Sequence, residues 1–149
     1  MLFVLIYILF CFIKYDSVCL SIVSKFLKYG SVQVRYKGHD FDALLADSPL
    51  KQAIGLMYRN KIGDNEGMLF IFGRPSYYGI WMHNMRFPID IIWIDEKKRV
   101  AHIVEGAEPC KSILNCKVYK PAKPASAVLE VNAGTAKRLG IKLGGTLEF

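Results

Sequence analysis

The chain has 149 residues, enough for one domain with a real core and too few for two of ordinary size. It is 52% hydrophobic, with a mean hydropathy of +0.23, and carries a formal charge of +7. That charge does not mark a nucleic-acid binder: Lys and Arg are scattered apart from Lys111, Lys117, Lys120 and Lys123, and no zinc-finger, helix-turn-helix or RNA-binding aromatic signature accompanies them.

Much of the excess hydrophobicity lies in Met1 to Ile13, which holds no charge and runs into Lys14 and Asp16. The run is shorter than the roughly 20 apolar residues that span a bilayer. Extending it through Val18, Leu20, Ile22 and Val23 sets Lys14 and Asp16 near mid-membrane, where charge is expensive. It also lacks the basic residues that precede the apolar stretch of a signal peptide. Three readings remain: an imperfect export signal or single membrane anchor; an interfacial or buried helix, since Ile22, Phe26 and Tyr29 with Val23 and Leu27 recur at helical spacing; or an upstream stretch that the domain does not need. Gly30 and Ser31 divide this hydrophobic segment, 1–29, from a domain over 30–149. The expected location is at or beyond the membrane, with the cytoplasm as the remaining option.

Val32 to Lys37 alternates as a half-buried strand, Gly38 to Asp40 reads as its turn, and Phe41 to Ala46 as a second strand beside it. Ser48 and Pro49 start a helix as cap and first residue. Leu50, Ala53, Ile54 and Met57 share one face of it, with Gly55 in its middle. Then come three short apolar runs, Gly67 to Phe72, Tyr78 to Met82 and Ile89 to Asp95, which form the expected central sheet. Ile89, Ile91 and Trp93 alternate with Asp90, Ile92 and Ile94, so the third run is covered on both faces and Asp90 is the odd residue in the core. Val100 to Glu105 is in natural register for a hairpin with it. Gly106 to Lys123 has no periodicity, and such a connection needs a staple or a function. Ser126 to Val131 is a strand, Thr135 to Leu139 a helix stopped by Gly140, and Thr146 to Phe149 the closing strand.

At GLMYR, GMLFIF, IWMHN, PIDIIWID and VLEVNAG, from about Val32 to Phe149, the sequence closely resembles the uncharacterised DUF192 family, also called UPF0127. The resemblance implies an α+β fold, a single compact, mixed β-rich and barrel-like domain with two short helices, often behind an export signal or anchor. It carries no established activity. The signature positions it transfers are Gly55, Leu56, Met57 and Arg59; Gly67, Met68, Leu69 and Phe70; Trp81, Met82, Asn84, Pro88 and Asp90; and Leu129, Glu130, Asn132, Ala133 and Gly134. His83 stands where the family usually has Lys, and Met85 and Arg86 replace small and aliphatic residues. Pro109 with Cys110 and Cys116 resembles a proline-cysteine segment of many members.

Asp90 and Asn84 flank the Met85 to Pro88 turn. A buried carboxylate must be bonded or paired. Asn84, Arg59 or the turn's own N–H groups are the expected partners in a structural clamp, and the competing reading is an acid/base or ligand-anchoring group in a pocket lined by Trp81 and Met57. No second carboxylate at a telling spacing supports acid/base pairing. Arg59, after a helix end, is expected to pair with Glu130 or with an anionic ligand. Cys110 and Cys116 either bridge a short loop, which export would favour, or stay free, or ligate metal, for which their spacing is unlike structural zinc pairs. His39, His83 and His102 are too dispersed for a catalytic motif, and Met57, Met68, Met82 and Met85 either crowd one site or fill the core. No cofactor or metal is expected. The leading expectation is a binding or accessory protein that recognises a small molecule, envelope component or protein through the face around Trp81, Asn84 and Asp90. The alternative is a hydrolase-type enzyme using Asp90 with Arg59 or His83.

Overall fold

A computed structural model describes residues 17–110 and 112–149 of the chain. The apolar run Met1 to Ile13, Cys11 and Lys111 lie outside the described residues. The chain starts with helix α1 (Ser17–Phe26), followed by strands β1 (Gly30–Tyr36) and β2 (His39–Ala46) and helix α2 (Pro49–Ile54). Next come β3 (Glu66–Ser76), β4 (Ile80–Trp81), β5 (Ile89–Ile94) and β6 (Val100–Ala107), a 3-10 turn at Ile113–Asn115, β7 (Val118–Tyr119), β8 (Ala125–Asn132) and helix α3 (Thr135–Leu139).

Six strands form one mixed sheet in the order β1-β2-β3-β8-β5-β6. The β1–β2 hairpin turns on Lys37 and Gly38, both at positive φ (48° and 81°), the geometry of the tight two-residue turns that match strand twist. The strand therefore resumes at His39, inside the predicted turn. β2 and β3 are parallel because α2 lies between them as a crossover, and the remaining pairs are antiparallel. The third apolar run is the doubly covered strand that its alternation predicts, since all of β5 is buried. The run around Tyr78 to Met82 is different: its paired residues, Ile80 and Trp81, join β7 in a separate two-stranded sheet.

The sheet is open rather than barrel-like. Its edges are β1 and β6, and the chain's last residues bond to both sides: Glu148 exchanges backbone bonds with Arg35 (2.9 and 3.0 Å), while Gly144, Gly145 and Leu147 bond Val100 and Lys98 (2.8–2.9 Å). These are isolated bridges, not the full closing strand that the sequence suggests. Within the domain the helices are the two expected ones, and α1 adds a third in the preceding segment. Ser48 caps α2 with Pro49 at its start, as predicted, but α2 stops at Ile54. Gly55 is its C-cap at φ 52° rather than a mid-helix residue, so Met57 lies beyond the helix.

The sheet's two faces carry two cores. One gathers Leu69, Ile92, Ile94, Leu129 and Val131 under β1, β2, α3 and the buried Leu147; the other gathers Met68, Phe70, Ile89, Ile91, Trp93 and Val128 under Leu56, Ile80, Met82 and Met85. A third, small cluster seats α1 by burying Cys19 against Ile54 beside Leu50 and Leu27. Val18, Ile22 and Phe26, at i, i+4 and i+8 of α1, remain exposed. Among the described residues no helix is long and apolar enough to cross a membrane.

Candidate functional site

Asp90 and Glu130 are the buried carboxylates, at 0% and 4% exposure, and they sit on opposite faces of the sheet. The register explains why: Asp90 pairs with Val131, and Ile91 with Glu130, so alternation sends Asp90 into the α3 core and Glu130 to the other side. They form no acid/base couple. Asp90 accepts three backbone N–H bonds, from Gly106 (2.9 Å), Gly134 (3.1 Å) and Ala136 (2.8 Å). Gly134 and Ala136 are at the start of α3, where a carboxylate satisfies the unpaired donors of the first turn. Asp90 is thus a clamp holding α3 and the end of β6 to β5. Its partners are not Asn84, Arg59 or the adjacent turn, and it does not share a pocket with Trp81 and Met57.

Asn84 has its own structural task. It adopts φ 57°, and its side-chain amide donates to the Tyr58 hydroxyl at 2.7 Å, while its carbonyl accepts from the Tyr58 N–H at 3.0 Å. This ties the loop before β5 to the segment after α2. The Asn84 amide also lies 3.1 Å from Nδ1 of His83, whose imidazole burial holds below its usual pKa. His39, His83 and His102 lie separately against Phe41, Trp81 and Trp93. Met82 is core, and its carbonyl accepts from the N–H groups of Met85 and Cys110 (3.3 Å each).

A cavity of about 320 Å³ opens where α2 and β4 cross the second core. Its lining includes Gln52, Gly55, Met57, Phe70, Trp81, Met85 and Glu130. Met68, directly opposite Glu130 across β3 and β8, is fully buried beneath it. Both strands beside Glu130 occupy its backbone, so the side chain is what meets the cavity. Among the described residues no hydrogen bond or ion pair is made by its carboxyl group, and burial pushes its pKa up to about 8. It is therefore mostly a neutral acid at neutral pH.

The expected Arg59–Glu130 ion pair is absent. Arg59 instead stacks 5.7 Å from the Tyr29 ring in an adjoining cleft of about 310 Å³ that shares Ile54, Gly55 and Met57 with the first cavity. The Tyr29 hydroxyl donates weakly to the Gly55 and Lys51 carbonyls (3.3 and 3.4 Å), and burial pushes its pKa up to about 12. Of the predicted residues, then, Met57, Trp81 and Glu130 come together; Arg59 is next door, Met68 and Met82 lie beneath, and Asn84 and Asp90 hold the frame. Sequence reading missed Gln52 and Phe70 as lining. Glu130 did carry a signal, being a lone charge inside the apolar run VLEV.

Gly79 is what lets β7 cover this region: a Cβ there would meet Val118 at 2.7 Å. β7 is tethered by a disulfide between Cys110 and Cys116, whose Cα atoms are 5.2 Å apart. The long aperiodic connection thus contains its own staple.

The DUF192 family model, described as Uncharacterized ACR, matches residues 32–149. A UPF0127 protein of Pyrococcus abyssi is 27% identical over 107 residues, 70% of this chain and 83% of its own. Two crystal structures share the fold at higher identity. A proposed transcription regulator from Sinorhizobium meliloti 1021 is 36% identical with a TM-score of 0.75, over 82% of this chain and 95% of that one. A protein of unknown function from Novosphingobium aromaticivorans is 39% identical with a TM-score of 0.74, over 80% of this chain and 85% of that one.

Proposed function

The chain belongs to the DUF192 family of uncharacterised proteins, and on that premise we propose that it is a binding or accessory protein that takes a small, mostly apolar molecule into the cavity between α2, β4 and β8. The observation that carries this reading is Glu130, a buried carboxyl that makes no hydrogen bond or ion pair among the described residues and lines a mostly apolar space. The volume lies at the small end of ligand pockets, which suits a fragment-sized molecule. The hydrolase alternative has less support, because Asp90 is saturated by backbone donors on the far face and neither Arg59 nor His83 bonds it.

The test is a fragment titration of the full-length protein, read by melting temperature and by fluorescence of Trp81, whose ring is half-buried at the cavity while Trp93 is fully enclosed. A subset of fragments is expected to raise the melting temperature and perturb Trp81. Failure of every fragment on both readouts would sink the reading.

We further propose that residues 1–29 hold the domain at the membrane or direct its export. The uncharged run before Lys14 and the exposed apolar face of α1 support this. Intact masses of the natively expressed protein from membrane and soluble fractions test it. A soluble chain of full length would overturn it.

A further inference from the structure

Resting on the cavity reading above, we propose that the ligand is an organic monocation whose ammonium group pairs with the Glu130 carboxylate. Three observations converge on that class. First, among the described residues Glu130 is the only ionisable one in the cavity lining, so the site presents an acid and no cation; an anionic ligand would meet a buried carboxyl with nothing there to neutralise either charge. Second, the rest of the lining suits the organic part of a cation: Trp81 and Phe70 offer aromatic surface, and Met57 and Met85 offer polarisable thioethers. Third, the side-chain donor of Gln52 is already used. The Gln52 side-chain amide nitrogen lies 2.7 Å from the Ile71 carbonyl and 3.3 Å from that of Ala46, which leaves its oxygen as the acceptor for a ligand N–H.

The groups packed around Glu130 do not compete for it. β3 and β5 set Met68 and Ile91 beside it. Tyr29, before β1, interacts with it electrostatically but keeps its proton well above neutral pH, and Arg59, after α2, is stacked on Tyr29 in the adjoining cleft. A cation arriving in the first cavity therefore meets a carboxyl that has no counter-ion among the described residues. Binding exchanges the proton of the neutral acid for one ammonium, so the cavity stays uncharged overall.

The experiment is calorimetry of the full-length protein with benzylamine, benzyl alcohol and benzoate, in buffers of differing ionisation enthalpy from pH 6 to 8. Benzylamine is expected to bind best, to release close to one proton at pH 7, and to gain about tenfold in affinity from pH 6 to 7 and about fivefold from pH 7 to 8, because only the ionised carboxyl pairs with it. Glu130→Gln is expected to weaken benzylamine at least tenfold and to affect benzyl alcohol much less. The proton count in the unmodified protein decides the matter even if that variant does not fold. Benzyl alcohol binding as tightly as benzylamine, without proton release, would overturn the cation assignment and leave the cavity reading standing. No binding by any of the three, together with silence in the fragment titration, would remove both.

Discussion

The side chain that does most for this fold is Asp90, a charge placed where only hydrocarbon is otherwise found. Three converging N–H bonds replace its lost hydration, and the one from Ala136 also satisfies a backbone donor in the fully buried start of α3. Asp90→Ala is expected to cost about 3–5 kcal/mol, and Asp90→Asn less, since an amide oxygen still accepts from part of the set. Urea unfolding midpoints measure both, and equal stability of the two variants would contradict the clamp. Glu130 behaves in the opposite way, because burial disfavours its charge and nothing rewards it. Its pKa is 4.5 when unfolded and about 8 when folded, so the folded state holds the extra proton between those values and stability falls as pH rises through that window. The slope is about 1.4 kcal/mol per pH unit. Glu130→Gln is expected to abolish this slope, and parallel urea midpoints for the two proteins from pH 5 to 8 would refute it. Both carboxylates were legible as anomalies, a charge inside PIDIIWID and another inside VLEV, but which face each one occupies depends on cross-strand register. A change of one residue in register reverses the answer, and no local pattern in the sequence records it.

Local rules placed several elements well. The Ser48–Pro49 helix start, the β1–β2 hairpin, the doubly buried β5 and the Gly140 helix stop follow from caps, turn residues and alternation, which act over a few positions. Gly55 escaped that reading because its neighbours continue the helical spacing to Met57, while its φ of 52° and the Phe70 ring, which an added Cβ would meet at 3.2 Å, are set by tertiary packing. The connection after β6 is organised around the Cys110–Cys116 bridge, which closes a loop with a sequence separation of 6. A loop this short contributes about 2 kcal/mol by restricting the unfolded chain. Reduction is expected to loosen β7 from β4 and shift Trp81 fluorescence, while Trp93, whose indole N–H is held 2.8 Å from the Tyr78 carbonyl, keeps its signal. An unchanged emission spectrum after complete reduction would show that β7 holds its place without the bridge.

At the scale of the whole molecule, the two sheet edges are joined by the final residues, and Leu147 is buried in the first core. Removing residues 144–149 is expected to cost at least about 3 kcal/mol and to make the protein associate at higher concentration, because β1 and β6 then present unpaired backbone. Sedimentation across a concentration series measures this, and a monomer of unchanged stability would argue against it. The open architecture was not legible, because alternation predicts strands but not their neighbours, and nothing near Ala125 announces that β8 slots between β3 and β5. That placement governs the order of assembly. A growing chain that has completed β3 and β5 holds two strands whose shared partner has not yet been synthesised, so the hydrophobic centre stays unsealed until Asn132 emerges. The fold is in effect written to be finished late, once β8 is available, and a nascent chain arrested before Ala125 is a species with two sticky seams rather than a smaller version of the protein.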